Sequence, residues 1–439
     1  MSNVYGLYIG GNVSVTETDD IVYKLYVAKL DDDNNTFSSP FTFPVNTSGN
    51  SFTSIYSMAI YYGELYIGGS IGGSSESKND SKPYLAKLDN NTNTFGTNLI
   101  TDKNILKYNG IYSMTVYKEK LYSIIGNDPQ TSTTIPDPLY TIFTYDRKNF
   151  SSNFKFEFDS EPQNLNVITS YNDSVLLGGD YNDGLPDSAC YTVYTGLVDN
   201  NSVKRSAGYP EPEYKSETGI YSMAAYNNNF YIGGGTVDSN GGINYYLGTL
   251  DVVNNNFKNI SPTDSKGKIV DIGIIYAMTV YKEKLYLLGS KDSGYLTYDN
   301  NKTIFYSNDG IGTSKGVCNM TIHNGELYAS SYSNFVYKLD NNNKWTSLNK
   351  GILSEASIRP MIDFNSDVFH ADIFGLRIYK KNSLSSHHLK LILGLSIGGG
   401  VLLLGIIIYL FIKDPLHVFG NSGGNSGGNS GVIQDNNLS

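Results

Sequence analysis

The stretch Ile55–Gly69, IYSMAIYYGELYIGG, decides the fold because the chain repeats it. Close copies are IYSMTVYKEKLYSIIG from Ile111, IYSMAAYNNNFYIGGG from Ile220 and IYAMTVYKEKLYLLG from Ile275. Weaker copies place Ile168, Met320 and Met361 at the methionine position, and Leu7–Gly11 repeats only the second half, LYIGG. The chain therefore contains eight copies at intervals of 41 to 56 residues, and the first copy lacks its beginning. Self-similarity at such a period indicates a repeat architecture.

Each copy also has a second conserved half. Tyr84–Asp89, YLAKLD, is followed by an Asn-rich turn and then by Phe95, and Tyr26–Asp31 is a close relative. The aromatic residue after the turn recurs as Phe37, Phe95, Phe150, Phe257, Phe305 and Trp345. Aspartate favours such turns because its carboxylate accepts hydrogen bonds from nearby backbone N–H groups, and asparagine tolerates the left-handed conformation that follows.

These segments have the length, alternation and composition of β-strands. We interpret each copy as strand a (IYSMxxY), a tight turn, strand b (LYIGG), a variable connection, strand c (YLAKL), a turn that begins with Asp, and strand d. Four antiparallel strands repeated every 40 to 55 residues or so predict the blades of a β-propeller, with strand a near the central axis. The predicted fold is all-β, with seven or eight four-stranded blades in residues 1–381.

The run LYIGG, a variable connection, YxAKLD and NxTNxF resembles kelch-type propeller repeats. It is more similar to the loosely kelch-related repeats of membrane-anchored surface proteins, such as fungal cortical marker proteins. The resemblance covers roughly residues 5–380, departs from kelch in favouring Phe over Trp, and implies a fold and not an activity. Two closures are open: the partial first and eighth copies complete an eight-blade ring, or seven blades close and one copy is left over.

Residues 391–412, LILGLSIGGGVLLLGIIIYLFI, contain no charge and are long enough to cross a bilayer as a helix. We predict a juxtamembrane linker at 382–390, this transmembrane helix, and a disordered Gly-, Ser- and Asn-rich tail at 413–439. The predicted partner of the helix is the lipid bilayer. Gly394 and Gly398 form a GxxxG pair, which would let two such helices associate as a homodimer.

Which side of the membrane carries the propeller is open at this stage. Basic residues on the propeller side favour a cytosolic, tail-anchored protein under the positive-inside rule. Eleven N-x-[ST] sequons in residues 1–381, and a first copy that lacks strand a and so points to a lost signal peptide, favour an extracellular or luminal glycoprotein of the plasma membrane or an endomembrane. We expect the second arrangement.

The sequence predicts no catalytic, cofactor-binding or metal-binding residue. The net charge of −10, with Lys and Arg scattered singly, argues against a nucleic-acid partner. Cys190 and Cys318 have no metal-ligand spacing, and His323 replaces a repeated Tyr, which indicates a packing variant. The acidic runs Asp31–Asp33 and Asp180–Asp183 lack calcium-loop spacing, and the first coincides with the Asp turn.

Everything that repeats is structural, whereas the b–c connections at 70–83, 127–139 and 180–189 differ in length and chemistry. Variable segments on a rigid scaffold are where binding usually resides. We therefore expect a non-catalytic, membrane-anchored propeller that presents these loops to a protein or glycan ligand. Two alternatives are a membrane-tethered carbohydrate-active enzyme with a central carboxylate pair, for which strand a offers only Asp363, and a cytosolic kelch-like adaptor.

Overall fold

The computed structural model describes most of the repeat region. The described residues are 5–17, 20–44, 48–49, 53–72, 81–127, 139–152, 154–156, 162–171, 174–182, 191–199, 202–205, 216–227, 229–237, 243–251, 256–260, 273–289, 294–299, 302–307, 317–331 and 335–364. The predicted linker, transmembrane helix and tail (382–390, 391–412 and 413–439) lie outside these residues and stay predictions. No helix in the described part is long and apolar enough to cross a bilayer.

The described strands form seven sheets. The sheet that contains the N-terminal strands comprises β1 (Gly6–Glu17), β2 (Asp20–Asp31), β3 (Thr36–Ser38), β4 (Ser48–Gly49) and the last strand, β30 (Ala356–Phe364). Two regular sheets follow: β5 (Ser54–Tyr61), β6 (Glu64–Ile71), β7 (Lys82–Asp89) and β8 (Thr94–Phe95); then β9 (Gly110–Tyr117), β10 (Lys120–Gly126), β11 (Tyr140–Tyr145) and β12 (Phe150–Ser151).

The fourth sheet has five strands, β13 (Lys155–Phe156), β14 (Pro162–Tyr171), β15 (Ser174–Asn182), β16 (Tyr191–Asp199) and β17 (Ser202–Arg205), with β13 parallel to β17. The remaining sheets are β18 (Ser216–Tyr226), β19 (Asn229–Val237), β20 (Ile243–Asp251) and β21 (Asn256–Asn259); β22 (Ile275–Tyr281), β23 (Lys284–Gly289), β24 (Gly294–Asp299) and β25 (Lys302–Ser307); and β26 (Val317–His323), β27 (Glu326–Ser331), β28 (Val336–Leu339) and β29 (Trp345–Ser347).

The turns form as their residues predict. In the four a–b turns that are described in full, both central residues have positive φ, as in Tyr62 (51°) and Gly63 (69°), which is the geometry that matches the twist of a two-residue hairpin. In the described c–d turns the Asp carboxylate accepts from the backbone, as Asp89 Oδ1 does from Asn91 N at 2.8 Å, and Asn93 takes φ 54°. The backbone bond to Asn91, with the bonds to Thr92, lowers the pKa of Asp89.

The inner strands, β30, β5, β9, β14, β18, β22 and β26, each contact the next, and β26 returns to β30. The sheets therefore surround a common axis. This confirms the prediction of an all-β propeller, apart from the details of its blades. Contact between sheets is apolar: Ile55, Leu65 and Ile67 are fully buried in a cluster that also includes Tyr8 and Val27 of the preceding sheet. Burial of such side chains stabilises a fold by about 1.5–3 kcal/mol each.

The prediction of seven or eight four-stranded blades needs two corrections. Two of the sheets have five strands, because β4 adds to one and β13 to another. The partial first and eighth copies are not separate blades, because β30 pairs with β1 and supplies the strand a that the first copy lacks. Neither predicted closure is therefore right.

The glycine pair of strand b is explained by packing between neighbouring sheets. A Cβ on Gly68 would lie 2.8 Å from Ile111 Cγ2 and 2.9 Å from Met114 Sδ, so the first glycine makes room for the Ile and Met of the next strand a. The same pairing joins Gly10 to Met58, Gly178 to Met223 and Gly233 to Met278. Where Ile124 replaces this glycine, Ile168 replaces the methionine, and both lie in one core cluster. The repeated stretch thus supplies the packing contact between neighbouring sheets.

Candidate functional site

Each inner strand has a β-bulge near the same end. In β5, Ile55 pairs with Gly69 and Ser57 with Gly68, so Tyr56 has no partner in the register. The second glycine permits this, because a Cβ on Gly69 would lie 2.0 Å from the carbonyl oxygen of Ser54. The equivalent residues of the seven inner strands, which we call the bulge ring, are Tyr56, Tyr112, Asn166, Tyr221, Tyr276, Cys318 and Arg359. Bulges redirect side chains and are frequent beside functional sites.

The bulge ring lies at one end of the ring of inner strands, which we call the mouth. It lies where strand b ends and the variable b–c connection begins, since Gly69 is two residues before Ile71, the last residue of β6. The predicted binding segments therefore start at this mouth. Their residues 73–80, 128–138 and 183–190 lie outside the described part of the chain.

Aromatic rings of neighbouring sheets meet at this mouth. Tyr56 and Tyr112 are stacked, with centroids 5.4 Å apart and planes at 16°. Tyr221 and Tyr276 meet edge to face at 5.2 Å. All four tyrosines are half-buried, so each retains exposed ring surface. Arg359, which is exposed, places its guanidinium carbon 4.7 Å from the centroid of Tyr56.

Polar groups lie between these rings. Ser70 Oγ is 3.2 Å from the hydroxyl of Tyr56. Asn166 Nδ2 is a buried atom with no hydrogen-bond partner in the described residues. Asp180 is 3% exposed in β15 and lies close to Asn166, since a Cβ on Gly219 would be 3.1 Å from Asn166 Nδ2 and 3.4 Å from Asp180 Oδ2. The mouth thus combines aromatic faces, an amide, hydroxyls, one exposed cation and the buried carboxylate of Asp180, a composition typical of binding sites.

The opposite end of the inner strands carries a repeated contact between sheets. The Tyr that ends strand a donates its hydroxyl to a backbone carbonyl in the next a–b turn: Tyr61 to Glu119 O at 2.7 Å, Tyr226 to Glu283 O at 2.9 Å and Tyr281 to Gly325 O at 3.2 Å. Burial raises the pKa of Tyr61 to about 12, which keeps this hydroxyl protonated as a donor.

His323 takes the place of that tyrosine where the ring of sheets closes. It is 4% exposed, and its Nδ1 lies 2.8 Å from Asp363 Oδ1 while its Nε2 lies 2.8 Å from Asp32 Oδ1. Burial by itself lowers the pKa of His323, but the hydrogen bonds to Asp363 and Asp32 outweigh it and leave the pKa above its ordinary value. A protonated imidazole is a donor at both nitrogens, so it satisfies both carboxylates.

The acidic run at Asp31 and Cys318, which were considered from the sequence as possible metal-binding or reactive residues, both make structural contacts. Asp31 accepts from Asp33 N at 3.1 Å and from Asn34 Nδ2 at 2.7 Å, which is the predicted turn chemistry. Cys318 lies in the bulge ring, and burial raises the pKa of its thiol to about 11, so it is a poor nucleophile at neutral pH. Cys190 lies outside the described residues. Within the part of the chain that the structure describes, no group of three His, Cys, Asp or Glu residues could hold a metal ion.

Asp363, the acid expected on strand a, is bonded to His323 at the end remote from the bulge ring. It is therefore not part of a carboxylate pair at that mouth. Strand β18 begins earlier than the aligned repeat and includes Glu217, whose side chain lies outside the described part. The bulge ring was not predicted from the sequence, although Tyr56 and Tyr221 lie in copies that combine IYSM with a glycine pair.

No family model and no curated protein matches this chain. Among solved structures, it is similar to an extracellular domain from a B. thetaiotaomicron hybrid two-component system, with 12% identity and a TM-score of 0.43, over 77% of this chain and 44% of that one. It is also similar to virginiamycin B lyase from Staphylococcus aureus (8% identity, TM-score 0.46, 68% of this chain and 85% of that one). A third is the Trypanosoma rangeli sialidase in complex with sialic acid (9%, 0.39, 76% and 56%).

The chain spans less than half the length of the B. thetaiotaomicron domain. At these identities and TM-scores the similarities carry no conclusion about activity. The class to which this protein belongs is defined by its own sheets and their ring of inner strands, which make it a β-propeller. The kelch resemblance remains a likeness of short motifs.

Proposed function

We propose that this protein is a single-pass, membrane-anchored β-propeller that binds a protein or glycan ligand at the channel mouth surrounded by the bulge ring. Its role is recognition and not catalysis. The apolar segment 391–412 crosses the bilayer, and the propeller faces the extracellular or luminal side, a location that the eleven sequons in residues 1–381 support.

One observation carries this proposal: half-buried tyrosines from separate sheets converge where the variable b–c connections begin. Tyrosine offers a large, rigid contact surface with a polar hydroxyl, and it is enriched at interfaces for that reason. The rigid part of the site comes from the inner strands, and the variable part comes from the connections. A rigid scaffold combined with variable connections is typical of proteins that present binding loops.

Full-length protein should be screened against arrayed oligosaccharides and a displayed peptide library, and the affinity of each ligand found should be measured for single-site variants. Tyr112→Ala should lower affinity by roughly tenfold or more, because truncation of a central aromatic contact commonly removes about 2 kcal/mol. Tyr62→Ala is the matched control, since Tyr62 is 51% exposed in the a–b turn at the other end of β5. Affinity that is unchanged by Tyr112→Ala would contradict binding at this mouth.

A further inference from the structure

The backbone of the bulge ring is held in place where its charged residue lies. The carbonyl oxygen of Arg359 accepts from Ser330 Oγ at 3.2 Å and from Cys318 Sγ at 3.3 Å, both from the neighbouring sheet. Because Arg359 is followed by buried Pro360, whose ring restricts the chain, the bulge has little freedom to rearrange. The position of this cation is thus set by the fold.

The guanidinium of Arg359 is available to a ligand. One of its faces lies over the ring of Tyr56, and the side chain is exposed. None of the ion pairs among the described residues involves Arg359. It is the one charged member of the bulge ring, in a protein whose net charge is −10. A cation placed over an aromatic ring keeps its N–H edge free for bidentate contact with a carboxylate.

The uncharged part of the mouth favours a ligand with many hydroxyl groups. The donor Asn166 Nδ2, a member of the bulge ring, lacks a partner in the described residues. A hydroxyl group accepts as well as donates, so a polyol satisfies this donor. Asn166 lies on the third inner strand from Arg359 around the ring of seven, that is, on the far side of the mouth. A ligand that reaches both must span the mouth, and the tyrosine faces lie along its path.

From this arrangement we propose that the channel mouth selects carboxylate-bearing oligosaccharides, with Arg359 binding the carboxylate and the tyrosines of the bulge ring contacting the sugar rings. This inference rests on the proposed function and adds to it the class of ligand and the residue that determines specificity. Arg359 acts through direct contact with the ligand, and its loss should remove the preference for acid without removing the aromatic surface.

The test compares a short uronic-acid oligosaccharide, its carboxyl-reduced neutral counterpart and an aspartate-rich peptide, each titrated against full-length protein by calorimetry. The acidic sugar should bind at least roughly tenfold more tightly than the neutral one, as expected for a hydrogen-bonded charge pair. Its affinity should fall as salt concentration rises.

Arg359→Gln should abolish the preference for the acidic over the neutral sugar and leave affinity for the neutral sugar within about twofold. Arg147→Gln is the matched control, because Arg147 places its guanidinium carbon 5.0 Å from the ring centroid of Tyr62, in a turn near the opposite end of the strands. The control should leave both affinities unchanged.

Three outcomes would overturn the inference: equal affinity of the wild type for the two sugars, a preference that survives Arg359→Gln, or tighter binding of the aspartate-rich peptide. If the peptide binds and Tyr112→Ala weakens it, the ligand class is wrong while the proposed recognition mouth stands. If neither sugars nor peptides bind, or if every bound ligand is insensitive to Tyr112→Ala, the proposed function fails as well.

Discussion

At the scale of single residues, the chain shows how one substitution changes a repeated contact. Tyr61, Tyr226 and Tyr281 each use a neutral hydroxyl to hold a neighbouring turn, whereas His323 holds two carboxylates at the point where the ring closes. The neutral contacts are indifferent to pH over the physiological range. The contact at His323 is not, because its strength depends on whether the imidazole is protonated.

We expect the stability that His323 contributes to decrease as pH rises. The pKa of His323 is raised in the folded protein, so the folded state binds the proton more tightly than the unfolded chain does. The contribution is then complete below the unfolded pKa of about 6.5 and is lost as pH rises through the folded value. In denaturant titrations between about pH 5 and pH 9, His323→Phe should cost roughly 1–3 kcal/mol at the acidic end and less at the alkaline end.

His323→Tyr is the matched variant, since it restores the residue of the other copies. Its midpoint of unfolding should be less dependent on pH than that of the wild type across the same range. If the unfolding free energies of wild type, His323→Phe and His323→Tyr change with pH in parallel, the imidazole does not exchange a proton in this contact.

At the scale of elements, strand b and the next strand a are complementary surfaces. In β6 the first glycine, Gly68, makes room for Met114 of the neighbouring strand, and the second, Gly69, lies opposite the bulge that presents Tyr56. The bulge at Tyr112 forms opposite Ile125, so this second glycine is not required in every sheet. The pair Ile124 and Ile168 shows the contact can be made with other shapes when both sides change together.

Gly68→Ala should destabilise the protein by about 1–3 kcal/mol, because its Cβ would overlap Ile111 and Met114 in a closely packed contact. Thermal or denaturant unfolding of the purified full-length chain measures this. Gly96→Ala is the matched control, since the nearest atom to its Cβ would be Lys87 O at 3.8 Å, an ordinary contact. Equal stability of the two variants would refute the role assigned to Gly68.

At the scale of the whole molecule, the ring closes by combining the two ends of the repeat region. Strand β30 pairs with β1, so the sheet at the closure takes its inner strand from one end of the region and its other strands from the opposite end. The two partners of His323 also come from this sheet: Asp363 lies in β30, and Asp32 lies in the turn between β2 and β3. The extracellular or luminal location is proposed from the sequons.

If the propeller is extracellular or luminal, the protein expressed in eukaryotic cells should carry N-linked glycans. Treatment with an N-glycosidase should then increase its electrophoretic mobility. Asn149, an exposed residue of a c–d turn, is a well-placed acceptor, so Asn149→Gln should remove part of the shift. Asn12→Gln should not, since Asn12 is 7% exposed and leaves no room for a glycan in the folded protein. No shift in any variant would favour the tail-anchored, cytosolic arrangement.

The sequence by itself determined the strands, their Asp and Asn turns, the repeat and its all-β propeller fold, because these depend on interactions between residues close in the chain or repeated along it. Only the tertiary structure decided that β30 completes the first sheet, that Tyr56 and its equivalents share one mouth with Arg359, and that His323 joins Asp32 to Asp363. The physical reason is separation: His323 and Asp32 are 291 residues apart. Contacts of that kind depend on register and closure, which leave no local pattern of residues.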